Sequence, residues 1–157
     1  MTITLITIGK TDNPQLQELI SLYQDRLKYY IKFDLDIIPD VKNAKKLTET
    51  LQKQKEGELI LKKINPGDVV ILLDEKGKQF TSVQFSEYLQ KHMNSGVKRL
   101  IFVIGGPYGF SDEIYQKSNG KLSLSKMTFS HQMVRLFFVE QLYRGFTILR
   151  NEPYHHQ

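Results

Sequence analysis

No cysteine occurs among the 157 residues, which excludes a disulfide framework, thiol chemistry and cysteine-ligated metals. No run of eighteen apolar residues occurs, so no transmembrane helix is expected. The opening MTITLITIGK has neither a basic leader nor a small-residue cleavage site, and reads as a first strand rather than a signal peptide. No carboxylate stands at ligand spacing from any of the four histidines, which argues against a metal site. There is no G-x-S-x-G around Ser125 or Ser130, hence no support for a serine hydrolase. There is no P-loop and no G-x-G-x-x-G. Internal repeats and low-complexity linkers are also missing. These absences fit one soluble cytoplasmic domain spanning residues 1–157, long enough for a sizeable core.

Basic charge is not scarce, but it is unevenly placed. The net charge of +5 divides into −2 over residues 1–40, +4 over 41–63, zero over 64–120 and +3 over 121–157. A polyanionic partner such as nucleic acid would account for that distribution, as would a solvated helix face.

The hydrophobic pattern alternates between two periods. TITLITI (2–8), Phe33–Ile38, VVILL (69–73), Leu100–Ile104 and Leu122–Ser125 read as strands. The second, with acidic residues alternating, belongs near a sheet edge. Helical spacing covers 14–30, 43–64, 82–94, a short segment near 112–118, and 131–150. Asn13-Pro14 reads as an N-cap followed by proline at the first helical position. Thr81 and Gln84 read as a capping box. The last helix is apolar on nearly every side, which calls for burial on several faces and points to a subunit interface. The βα alternation predicts a mostly parallel sheet of five to six strands with helices on both faces. Ligands of such sheets bind beyond the carboxyl ends of the strands. The loops after Leu73, Ile104 and Ser125 are therefore the places to look for chemistry.

Several residues there carry two readings each. Gly105, Gly106 and Gly109 allow a backbone to approach a flat ligand, or simply make a tight turn. His131 and Arg135 stand one turn apart and read either as base and anion clamp or as a capping histidine and a surface arginine. Arg144 follows Glu140 by four residues, the spacing of an ordinary ion pair. Tyr154, His155 and His156 lie in a short tail that would normally be disordered.

Taken together, FVIGGPYG, LSLSKMTFSHQMVR, EQLYR and the terminal EPYHH, with the opening ITLITIGK, closely resemble the bacterial ribosomal large subunit methyltransferase H family, in the SPOUT class. The likeness covers the whole chain. It implies an α/β domain whose C-terminal segment is threaded into a trefoil knot, a homodimer, and S-adenosyl-L-methionine as cofactor. It implies methylation of N3 of a pseudouridine in the helix 69 loop of 23S ribosomal RNA on the assembled ribosome. The implied cofactor pocket is lined by Leu73, by Gly105 and Gly106, and by Leu124, Ser125, Lys126, Met127, Thr128 and Phe129. Candidates for the chemistry are His131, Arg135, Arg144, Tyr154 and His155, with His155 as proton acceptor, Arg144 as stabiliser of the developing oxyanion and Tyr154 as orienter of the base. Ser130 departs from the family pattern, which has proline there, and leaves the loop less rigid on paper. Rival readings are a SPOUT methyltransferase acting on another RNA, such as transfer RNA, and a non-catalytic ribosome-binding module.

Overall fold

The computed structural model describes residues 1–156. Five strands form a single sheet: β1 (Thr2–Ile8), β2 (Lys32–Ile38), β3 (Val69–Gln79), β4 (Arg99–Ile104) and β5 (Gly120–Ser123), in the order β2-β1-β4-β3-β5. Every pairing is parallel. The helices are α1 (Pro14–Leu27), α2 (Glu49–Leu61), α3 (Ser82–Asn94), α4 (Asp112–Lys117) and α5 (His131–Leu149), with a 3-10 turn at Ala44–Lys46.

Side-chain alternation along the strands builds two cores. Ile3 and Leu5 of β1, with Leu100 and Phe102 of β4, face α1, α3 and α5, where Leu27, Phe85, Leu89, Phe138, Val139 and Leu142 pack against them. Ile6 and Ile8, with Ile101 and Val103, face the other way onto Ile60 of α2 and Ile114 of α4. A strand buried on both faces must be apolar throughout, which is why VVILL and LIFVI read as they do. The edge strand β2 keeps Lys32, Asp34 and Ile37 exposed, as expected of an edge.

The caps are where the sequence places them. Asn13 accepts hydrogen bonds from the backbone of Gln15 and Leu16, with Pro14 opening α1. Thr81 and Gln84 close a reciprocal capping box. Ser130 takes over the start of α5: its side chain accepts from the Met133 N–H at 3.1 Å. The residue at the position where the resemblance leads one to expect proline thus supplies a cap worth about 1 kcal/mol.

Several boundaries differ from expectation: α1 ends at Leu27 and α2 at Leu61, each three residues early. α2 begins at Glu49, not at 43, because Thr48 caps it and the preceding lysines are taken up by the 3-10 turn, with Asn43 at φ 57°. β3 continues through Asp74–Gly77, expected as a loop, to Gln79. Its pairing with β5 shifts register between Leu73 and Lys78. Gly77 allows this, since a Cβ there would lie 2.5 Å from the Leu122 backbone. β5 correspondingly ends at Ser123, so Leu124 and Ser125 belong to the loop.

Candidate functional site

In an all-parallel sheet the carboxyl ends of the strands lie on one side. The ends of β3, β4 and β5 open there into a cleft of about 600 Å³, within the usual range for a small-molecule site. Leu73, Ile104, Leu122, Leu124 and Phe129 give it apolar walls, and Gly105 through Gly109 form one rim. Each rim glycine has a physical reason. A Cβ on Gly105 would sit 3.1 Å from the Phe110 ring, and one on Gly106 would sit 2.6 Å from Glu56 Oε1 and 2.7 Å from its Cδ. Gly109, at φ 80°, occupies the left-handed region. The opposite rim is a serine-stapled turn: Ser123 Oγ donates to the Ser125 carbonyl at 2.9 Å, and Ser125 Oγ accepts from the Met127 N–H at 3.0 Å. Of the nine residues expected around a cofactor, Leu73, Gly105, Gly106, Leu124, Ser125, Met127, Thr128 and Phe129 line this cleft. Lys126 is exposed beside them. His131, at the first position of α5, also lines it.

Sequence reasoning did not single out Lys53, Asp112 or Tyr115, which also line the cleft, nor assign a role to Asp74. Tyr115 donates to Asp74 Oδ2 at 2.5 Å. Burial, reinforced by that bond, pushes the Tyr115 hydroxyl well above the usual phenol range. A lysine spaced far from any motif gave no local signal. In space Lys53 of α2 reaches the cleft, while Lys42, Lys45 and Lys46, earlier in the same basic segment, are exposed.

Arg135 is not in the cleft. It is 2% exposed, and its guanidinium donates to the Ile8 carbonyl at 2.9 Å, to Thr11 Oγ1 at 3.1 Å and to the His131 carbonyl at 3.1 Å. Both readings made from sequence, anion clamp and surface arginine, give way to a third. The side chain is a tie between α5 and the segment after β1, and its desolvation lowers its pKa. Removing a buried donor that serves such carbonyls leaves them unpaired. Arg135→Ala is therefore expected to lower unfolding free energy by about 3 kcal/mol, measured by urea denaturation.

The tail is docked, not loose. Beyond α5 the chain turns at Asn151, at φ 53°, and Glu152 N–H bonds back to the Thr147 carbonyl at 2.9 Å. Tyr30 donates to Glu152, and burial with that bond pushes the Tyr30 hydroxyl up to about 12. Tyr154 packs edge-on to Tyr143 with centroids 4.7 Å apart, donates to Glu140 Oε1 at 3.0 Å and meets the Tyr23 hydroxyl at 3.2 Å. Burial first, then these hydrogen bonds, raise its pKa. Arg144 lies over the Tyr154 ring, 4.7 Å from its centroid. It bonds Glu140 Oε1 at 2.6 Å, the ordinary ion pair read from sequence, and also faces His155 Nδ1 at 3.2 Å. A guanidinium only donates, so Nδ1 is the accepting nitrogen and neutral His155 carries its proton on Nε2. Arg144, Tyr154 and His155 thus form one cluster, with Glu140 and Tyr23 as supports that sequence analysis missed.

Cleft and cluster are apart. Arg144 follows His131 by thirteen residues along α5, about 20 Å at the helical rise, and among the described residues none of the tail lines the cleft. The structure brings eight expected cofactor residues and His131 to one place, and Arg144, Tyr154 and His155 to another. Among the described residues no cluster of three or more potential metal-ligating side chains occurs, and no helix is long and apolar enough to cross a membrane.

Comparison with known proteins fits this geometry. Residues 1–155 match the family model described as predicted SPOUT methyltransferase. Two similar curated relatives, from Flavobacterium psychrophilum and Flavobacterium johnsoniae, are 72% and 73% identical over 157 residues, covering all of both chains. Each is named ribosomal RNA large subunit methyltransferase H. Among solved structures, a probable methylase family protein from Haemophilus influenzae superposes with a TM-score of 0.53 at 14% identity, covering 95% of this chain and 66% of that one. At that identity the likeness concerns the fold.

Proposed function

Because the chain belongs to the SPOUT methyltransferase family, we propose that it transfers the methyl group of S-adenosyl-L-methionine to 23S ribosomal RNA, at N3 of a pseudouridine in the helix 69 loop of the assembled ribosome. The observation that carries the reading is the cleft at the ends of β3, β4 and β5, which gathers eight of the nine residues expected to hold the cofactor. Its apolar walls suit a flat nucleobase, and its glycine rim allows the close backbone approach that a Cβ would forbid. Asp74, Glu75 and Asp112 suit a cationic ligand. Full-length relatives named as ribosomal RNA methyltransferases support the substrate class.

When bound, S-adenosyl-L-methionine supplies a methyl group already activated by the sulfonium. The residues of this chain have to place N3 in line with that group and dispose of the N3 proton. Orientation alone can lower the barrier by several kcal/mol. Methylation at N3 would require the N3 proton to be taken up, and charge would develop on the flanking carbonyl oxygens of the base. Arg144 and the His155 Nε2–H are donors suited to those oxygens. With Nδ1 engaged by Arg144, His155 accepts the proton only after that contact opens. Tyr154, held by Tyr143, Tyr23 and Glu140, orients the base.

The distance between cleft and cluster supports a homodimer in which the tail of one chain completes the cleft of the other. Exposed Leu19, Leu22 and Phe137 provide apolar surface for such an assembly. A knotted path for the C-terminal third belongs to the same family reading. Calorimetry tests the premise: the chain is expected to bind S-adenosyl-L-methionine and its demethylated product, whereas a non-catalytic ribosome-binding module would bind neither.

A further inference from the structure

Beneath the glycine rim lies a group that the methyl-transfer reading does not use. Glu56 of α2 is 3% exposed, and its Oε1 has no hydrogen-bond partner. A Cβ on Gly106 would overlap its carboxyl. The next residue, Gly57, lies so close to the start of α4 that a Cβ there would come within 2.6 Å of Ser111 Oγ. Two adjacent residues of α2 therefore bear on both ends of the loop from Gly105 to Ser111. Among the described residues no salt bridge reaches Glu56.

We propose that Glu56 is a positioning residue, its buried carboxyl fixing the 105–109 loop in the shape that the cofactor cleft needs. A buried ionised carboxylate with an unpaired oxygen is costly, and the neutral acid is the form that such packing accommodates. Burial, with a smaller contribution from Asp40, raises its pKa to about 7, while the nearby Gln52 side chain acts the other way. The groups acting on it are Gln52 on its own helix, Asp40 from the segment after β2, and the backbone of Gly106 from the loop after β4. The sign follows from the raised pKa. The stabilisation is fully present below the ordinary carboxylate range and is lost as pH rises through about 7. Ionisation then draws the carboxyl toward water and displaces the loop, so the cofactor meets fewer competent molecules.

The inference rests on the cofactor cleft of the proposed function, and the test separates the two. Carbon-13 NMR of glutamate-labelled protein follows the Glu56 carboxyl, identified by its loss in E56Q, while calorimetry measures S-adenosyl-L-methionine binding at pH 6 and pH 8. The carboxyl is expected to titrate near 7, and wild-type affinity to fall about tenfold from pH 6 to pH 8 if only the neutral form is competent. Glu56→Gln, which cannot ionise, is expected to hold the pH 6 affinity at both values. Titration of the Glu56 carboxyl in the ordinary carboxylate range would overturn the proposal. So would an equal pH slope in both proteins, or a uniformly weak but folded Glu56→Gln. If wild type binds no cofactor at either pH, the proposed function falls, and the carboxyl titration still decides the case of Glu56.

Discussion

Deleting residues 153–157 is expected to abolish methyl transfer, by about a thousandfold or more, while cofactor affinity stays within about twofold of wild type. The basis is spatial. The deletion removes Tyr154 and His155, which stand with Arg144 at one end of α5, whereas the cleft stands at the other. Nothing that lines the cleft is touched. Some stability is lost with the Tyr154 contacts to Tyr23, Tyr143 and Glu140. Glu152, which anchors the turn through Tyr30 and the Thr147 carbonyl, remains. Full activity in the shortened chain, measured with labelled cofactor, would remove the tail from the mechanism. Loss of cofactor binding would show that tail and cleft are not separable.

Gly106→Val is expected to have the opposite profile: cofactor affinity lower by about a hundredfold or more, with the tail cluster unchanged. A branched side chain at this position runs into the Glu56 carboxyl. Glu56 is nearly fully buried, so carboxyl and loop give way only by repacking, and small-to-large changes of this kind cost about 1–3 kcal/mol or more. The two variants together ask which chain supplies which part. Each alone is expected to be nearly inactive at a cofactor concentration that saturates only an intact cleft. Co-expressed with separate tags, the proposed homodimer would yield mixed dimers in which one cleft is intact and faces one intact tail. Random pairing then restores about a quarter of wild-type activity. A site built within one chain would recover nothing.

The residues that sequence analysis chose well were those whose signal is local. VVILL and LIFVI announce strands buried on both faces because they are short, wholly apolar and rich in β-branched residues, and β3 and β4 are those strands. The caps at Asn13 and Thr81 are decided within four residues of chain, and both are present. With parallel strands established, their carboxyl ends had to share a side, so three loops distant in sequence could be placed around one cleft. What failed depended on distant partners. Asp74–Gly77 has the composition of a loop, but pairing with β5 across a shifted register makes it strand. His131 and Arg135 share a helical face by spacing. The segment from Ile8 to Thr11 nevertheless covers Arg135 and leaves His131 exposed. Glu140 and Arg144 satisfied the ion-pair rule so well that their part in holding Tyr154 and His155 was hidden. The tail, composed like a frayed end, is fixed by Tyr23 of α1 and by Tyr30 in the turn after it, more than a hundred residues away in sequence. Glu56 sits in a lysine-rich helix with a thin apolar stripe, and only the approach of Gly106 reveals it.

Incubation of the chain with methyl-labelled S-adenosyl-L-methionine and, separately, with assembled ribosomes, free 23S RNA and transfer RNA tests the central claim most directly. The account predicts label in the 23S RNA of assembled ribosomes, mapping by nuclease digestion and mass spectrometry to N3 of a pseudouridine in the helix 69 loop. Label in transfer RNA and none in ribosomes, or no transfer to any of the three by a chain that binds cofactor, would contradict it.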